Sequence, residues 1–340
     1  MSSFDGYESR RRRRVVMHRG RAQLCPSSSR ERLMGRWTVW SLVIVTFLAH
    51  AKEVHRRSST LVSTEPCTPE GKCRQCLGLG EGLPHFIDSD LVISTVFTTK
   101  QDPIRARVSC RDCDDYYGMW LQSVKLLNLT ALIFHDGIRE GHIERHSSSN
   151  IHFCKVGLGH SSTNDERFKL YYVFLTGQDL SLYPSYRILP EEELQSFNSR
   201  INNVFFTDIA NVEFLRNPFQ LLGQYSNFLF IGSEGKVFSP WMENKVKVCK
   251  MQAYRFDRSV NFNAGIIGGK TTYILPFLQC YMKIATSLSP AVKQRNCNMA
   301  ILHAALVGWL DKKRVFTGPP LHTRFNKFEY NKTDMYIRHK

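Results

Sequence analysis

The 340-residue sequence has no internal repeat and no low-complexity segment beyond residue 60, which excludes repeat architectures. It lacks a glycine-rich phosphate loop. The run Gly78-Leu-Gly-Glu-Gly82 does not have the dinucleotide-binding spacing, and no strand-like run precedes it. Zinc-ribbon spacing is missing too, because Cys73-x-x-Cys76 and Cys110-x-x-Cys113 lie more than 30 residues apart. The fifteen-residue apolar run Trp37–Ala51 falls short of the roughly 20 residues that span a typical bilayer. The formal charge of +16 is unevenly spread, with residues 1–60 holding thirteen Lys and Arg against four acids. A nucleic-acid role for the Arg10–Arg14 run is therefore not expected.

What is present at the amino end points to a membrane. Residues 1–36, dominated by Ser and Arg, read as a disordered basic tail. Thin bilayers of the early secretory pathway and the flanking tryptophans accommodate a short span, so residues 37–51 are expected to form an uncleaved anchor. The rival is a signal peptide cleaved after Ala49-His50-Ala51. By the positive-inside rule the tail stays cytosolic and the remainder enters the lumen. Nine of ten cysteines, and the sequons at Asn128 and Asn331, lie on that luminal side. Disulfides are expected among Cys67, Cys73, Cys76, Cys110 and Cys113, whereas Cys154 and Cys280, in apolar surroundings, read as buried thiols.

Residues 52–88 read as a stem and lead-in loop, and 89–340 as one luminal domain. Strand-like runs cover Leu91–Phe97, Leu129–Phe134, Ile151–Val156, Val204–Phe206, Phe228–Ile231 and Phe262–Gly269. Helices are predicted over Asp115–Leu127, from Thr163 as N-cap to Leu175, after Pro190, and over Tyr273–Leu288 and Asn298–Leu310. The segment from Phe316 to Lys327 reads as a basic loop. Strands alternating with helices predict an α/β fold around a mostly parallel sheet.

Polar residues collect at the predicted strand ends: Thr98 and Thr99, Asp136, Asp208 with Asn211, Glu234, and Asn263. Open α/β sheets gather such ends at one crevice. The oxygens of Asp208 and Asn211 suit a hard divalent cation on a diphosphate, which points to a sugar-nucleotide site. Arg105 and Arg167 could reach a phosphate or a carboxylate, but are expected to be solvated or on a helix surface, and Trp120 and Trp309 to lie in the core.

The block Phe205-Phe-Thr-Asp-Ile-Ala-Asn-Val-Glu-Phe-Leu-Arg-Asn-Pro-Phe219 resembles the DxD-type block of GT-A-fold nucleotide-sugar glycosyltransferases. Phe262-Asn-Ala-Gly-Ile-Ile-Gly268 is similar to a later Phe-Asn-Ala/Ser-Gly strand of that superfamily, and Gly318–Lys327 to its C-terminal diphosphate loop. The resemblance spans about residues 90 to 328. It implies a type II, Golgi- or ER-membrane hexosyltransferase using a UDP-sugar with Mn²⁺ or Mg²⁺, acting on a glycan, glycoprotein or glycolipid, with retention weakly favoured. The implied metal ligands are Asp208, Asn211 and His322. Thr98, Asn263, Arg324 and Lys327 would contact the donor, and Glu234 and Asp136 are the implied catalytic carboxylates. Two positions depart from the pattern: Asn211 replaces the block's second acid, and Asn298, or its neighbours Asn296 and Cys297, stands where an acid opens a later helix. These losses raise the alternative of an inert luminal module that binds glycan or a partner enzyme.

Overall fold

The computed structural model describes residues 89–103, 114–178, 186–190, 193–194, 201–234, 238–254, 256–257, 259–310, 314–319, 321–323 and 335–339. The predicted tail, anchor and stem, Cys67, Cys73, Cys76, Arg105, Cys110, Cys113, Arg324, Lys327 and Asn331 lie outside the described residues, as does most of the helix expected after Pro190. Among the described residues no helix is long and apolar enough to cross a membrane.

The strands are β1 (Ser89–Val96), β2 (Ala131–His135), β3 (Ile151–Lys155), β4 (Ile201–Thr207) and β5 (Val212–Phe214), then β6 (Phe228–Ser233), β7 (Phe262–Lys270), β8 (Arg314–Phe316), β9 (Leu321–Thr323) and β10 (Ile337–His339). The helices are α1 (Asp114–Leu126), α2 (Glu140–His146), α3 (Thr163–Leu175), α4 (Gln220–Gln224), α5 (Pro240–Val248), α6 (Thr271–Ser287), α7 (Pro290–Lys293) and α8 (Asn298–Leu310). Seven strands form a sheet in the order β3-β2-β1-β4-β7-β6-β8, and β5-β10-β9 form a small second sheet. Every pairing in the large sheet is parallel except the two that β7 makes with β4 and β6. The fold is thus α/β with a mostly parallel sheet, as the alternation of elements predicts.

Side chains alternate across the sheet with the period of two that a pleat imposes. Leu91, Ile93, Leu132, Phe134, Val204 and Phe206 face the core under α3, α6 and α8. Val92, Val96, Ala131, Ile133 and Phe205 face the other core, with α1 and the small sheet. Because both faces are covered, the strands read as nearly continuous apolar runs. α3 is buried on nearly all sides. Its Tyr171 ring stacks on Phe206 at 4.0 Å and its Phe168 ring on Tyr281 at 4.1 Å.

Several expectations change in detail. The N-cap of α3 is Ser162, one residue before the predicted Thr163, and its hydroxyl accepts from Asp165 N. The segment from Phe316 is not all loop, since β8 ends at Phe316 and β9 follows. Cys154 and Cys280 are disulfide-bonded, not buried thiols. A further disulfide, Cys249–Cys297, joins the end of α5 to the start of α8.

Buried ionisable groups make stability depend on pH. Burial lowers His135 and His303 to about 4, from 6.5. For His135, Asp136 opposes that shift and Lys155 adds to it. Their contribution is present above 6.5 and lost as pH falls towards 4, because the unfolded chain takes up the protons first. Asp165 runs the other way. Burial raises it to about 6, so its contribution is present below 3.8 and lost as pH rises through 6. Two imidazoles against one carboxyl leave a net loss on acidification. The melting temperature should fall from pH 6.5 to pH 4.5, and His303→Gln should remove most of that slope, because one imidazole then stands against one carboxyl. An unchanged slope in the variant would show that His303 is not the source.

Candidate active site

Strand order reverses between β1 and β4, since the chain moves outward through β1, β2 and β3 before returning to β1's other side. Ligands of open α/β sheets bind outside the carboxyl ends of the strands at such a switch point. Thr98 follows β1, Asp136 follows β2 and Asp208 follows β4, so all three lie along that edge. β7 adds to the same edge because it runs backwards. Its first residues pair with the last of its neighbours: Ile266 with Thr207, Asn263 with Gly232, and Phe262 with Ser233.

Two polar groupings result. In the first, the Asp136 carboxylate accepts from Thr98 N at 2.5 Å and Thr99 N at 3.0 Å, and from both threonine hydroxyls. Asp136 therefore shapes the loop leaving β1. Glycine follows it by necessity, since a Cβ at Gly137 would lie 2.5 Å from Thr98 Oγ1.

The second grouping centres on Asp208. Its backbone N–H donates to Gly265 O at 2.9 Å. Oδ1 pairs with the guanidinium of Arg167 from α3, and Oδ2 lies 3.6 Å from His339 Nε2 on β10. The His339 ring packs on Gly265, where an added Cβ would come within 2.5 Å of Cε1. Asn263 Oδ1 accepts from Gly265 N at 2.6 Å. Its amide nitrogen donates to Glu234, which also accepts from Asn261 Nδ2 at 3.3 Å. Asp208, Asn263 and Glu234 are thus joined through Gly265, from the ends of β4 and β6 and the start of β7.

Asn211 lies three residues on from Asp208, just before β5. His322 sits on β9 as the register partner of Arg338, with its side chain outside the described residues. Arg167 is not a solvated or helix-surface residue but is buried in the ion pair. Burial works against its charge, but Asp208, Tyr171 and Tyr281 outweigh that, and its pKa is raised. His339 carries no expectation from the sequence. Its signal was the alternation Met335, Ile337, His339, all buried, which puts a histidine in phase with the apolar face of a strand. Trp120 is fully buried, and its Nε1 donates to Thr207 Oγ1 at 2.9 Å, bracing the end of β4. The side chain of Trp309 is outside the described residues. A cavity of about 40 Å³ lined by Ser161, Asp165, Lys169 and Tyr186 lies beside the start of α3. It has room for a water molecule or two and is too small for a sugar.

No protein-family model matches the sequence, and no curated protein does.

The Arg167–Asp208 pair has a measurable energetic signature. Asp208→Ala strands a buried guanidinium and should cost about 2–3 kcal/mol in urea unfolding, below the usual 3–5 because Asp208 is 30% exposed. The double variant Arg167→Met/Asp208→Leu should lie closer to wild type than Asp208→Ala alone. Simple additivity of the single losses would rule out coupling between the two.

Proposed function

We propose that the chain is a GT-A-type glycosyltransferase, moving a hexose from a UDP-sugar onto a glycan, glycoprotein or glycolipid in the Golgi or ER lumen. The observation that carries the reading is the Asp208–Gly265–Asn263–Glu234 grouping at the carboxyl edge, beside the switch point. Membrane attachment through residues 37–51, a luminal site and retention of configuration belong to the same proposal. The Cys249–Cys297 disulfide supports an oxidising compartment. So does the exposure of Asn128, the asparagine of a sequon.

The donor set fits a divalent cation. Asp208 Oδ2 and His339 Nε2, 3.6 Å apart, are an oxygen and a nitrogen close enough to share one ion. Asp208 and His339 would hold Mn²⁺ or Mg²⁺, with Asn211 and His322 as the further ligands that the motif implies. When bound, the ion neutralises charge on the departing nucleoside diphosphate. Arg167 fixes the Asp208 carboxylate from behind, in the way outer partners orient a ligand. Glu234, held by two amides, would take a proton at the acceptor side. Asp136 and Thr98 organise the loop over which the nucleoside would lie, and Arg324 and Lys327 would meet the diphosphate.

One feature favours the second reading, an inert module that retains the fold. The guanidinium of Arg167 already supplies Asp208 with a counter-charge, and Asn211 contributes none. The test is hydrolysis of UDP-hexoses by the full chain with Mn²⁺, together with thermal stabilisation by UDP and Mn²⁺. The transferase reading expects turnover reduced about 100-fold or more in Asp208→Asn and in His339→Ala, the scale of losing an electrostatic stabiliser. Neither turnover nor stabilisation with any common donor would leave the module reading in its place.

A further inference from the structure

Away from the carboxylate–histidine grouping, Asp114, His142 and His146 bring three ligand atoms within 4.8 Å of one another. Asp114 opens α1, and the histidines stand four residues apart on α2, on one face of its two turns. Asp114 Oδ1 lies 3.6 Å from His142 Nδ1 and 2.9 Å from His146 Nε2. Tetrahedral zinc at about 2.0–2.1 Å from each donor needs donor separations of roughly 3.3 Å, which these values bracket.

The buried Tyr117 hydroxyl meets His142 Nε2 and fixes the ring, as outer hydrogen-bond partners of metal-binding histidines do. Nδ1 then faces Asp114, with Arg145 Nη2 3.4 Å from the same nitrogen. The tautomer that ligates carries its proton on Nε2 and its lone pair on Nδ1. Two imidazoles and one carboxylate form a borderline donor set that suits Zn²⁺ better than Mg²⁺ or Ca²⁺.

We propose that Asp114, His142 and His146 form a zinc site that staples the start of α1 to α2. His142 is 1% exposed, so the site is anchored from the core, while the Asp114 side chain, 62% exposed, leaves access from solvent. Arg145, on the exposed surface of α2, must swing from Nδ1 for the ion to bind, so it opposes binding.

The test is calorimetric titration of the untagged full chain with Zn²⁺, in wild type, Asp208→Asn, His146→Gln, Asp114→Asn and Arg145→Gln, with melting curves alongside. The Asp114–His142–His146 site should bind Zn²⁺ with the same affinity in wild type and in Asp208→Asn, which separates it from any ion at the transferase grouping. His146→Gln should weaken binding about 100-fold or more, and Asp114→Asn should weaken it as well. Arg145→Gln should strengthen it. Zinc at 100 times its dissociation constant should raise the melting temperature by roughly 5 °C. His146 and Asp114 are partly solvent-exposed, so their variants should melt as wild type does without metal. Equal zinc affinity in His146→Gln and wild type would overturn the site, as would the disappearance of binding in Asp208→Asn.

Discussion

The pairing of β4 with β7 is the constraint on which the polar edge of the molecule depends. β7 is the one strand of the large sheet that runs against the others, so its beginning lies beside the ends of β4 and β6. That reversal brings Asn263 and Gly265 to the carboxyl edge, and the Asp208 N–H to Gly265 O bond ties the two strands there. Two glycines make the close approach possible. Gly265 leaves room for the His339 ring, and Gly268 for Phe205, whose ring atoms would lie as near as 2.1 Å to an added Cβ. A side chain at either position would push apart elements that carry the site.

Electrostatics at this edge are settled within the protein. Asp208 has Arg167 on one oxygen and His339 near the other, and Glu234 has two amide donors. Desolvating charges is costly unless they are paired and hydrogen-bonded, and each acid here meets that requirement. The same pairing holds the carboxylates in fixed directions. Farther out along the sheet edge, Asp136 uses both oxygens to shape the loop after β1. The acids of this edge therefore differ in their partners: one orders backbone, one is paired with a guanidinium and one is cradled by amides.

Much of this was legible along the chain. Five of the six longest strands were read within two residues of their limits, because a sheet covered on both faces leaves apolar, β-branched runs with little polar interruption. β4 was read short, as Val204–Phe206, because polar Asn202 and Asn203 break its start. The position of Asp208 and Glu234 at strand ends followed from the same runs. Short elements escaped. β5, β9 and β10 have three residues each, too few for a period to register, and α2 and α5 carry single turns of pattern amid charged residues. The shift of the α3 cap from Thr163 to Ser162 reflects two adjacent hydroxyl residues, either of which satisfies the local rule.

Local pattern in the chain thus determined the α/β class, the strands of the large sheet and the acids at their ends, because period and composition are properties of neighbouring residues. Only the tertiary structure decided which partners those acids meet. Arg167 looked like a helix-surface cation until α3 was seen to be buried between the sheet and α6. His339 was reached from 131 residues further along, through a second sheet whose pairing of β5, β10 and β9 no local pattern announces. The direction of β7 was likewise invisible, since a strand's residues alternate in the same way whichever direction it runs.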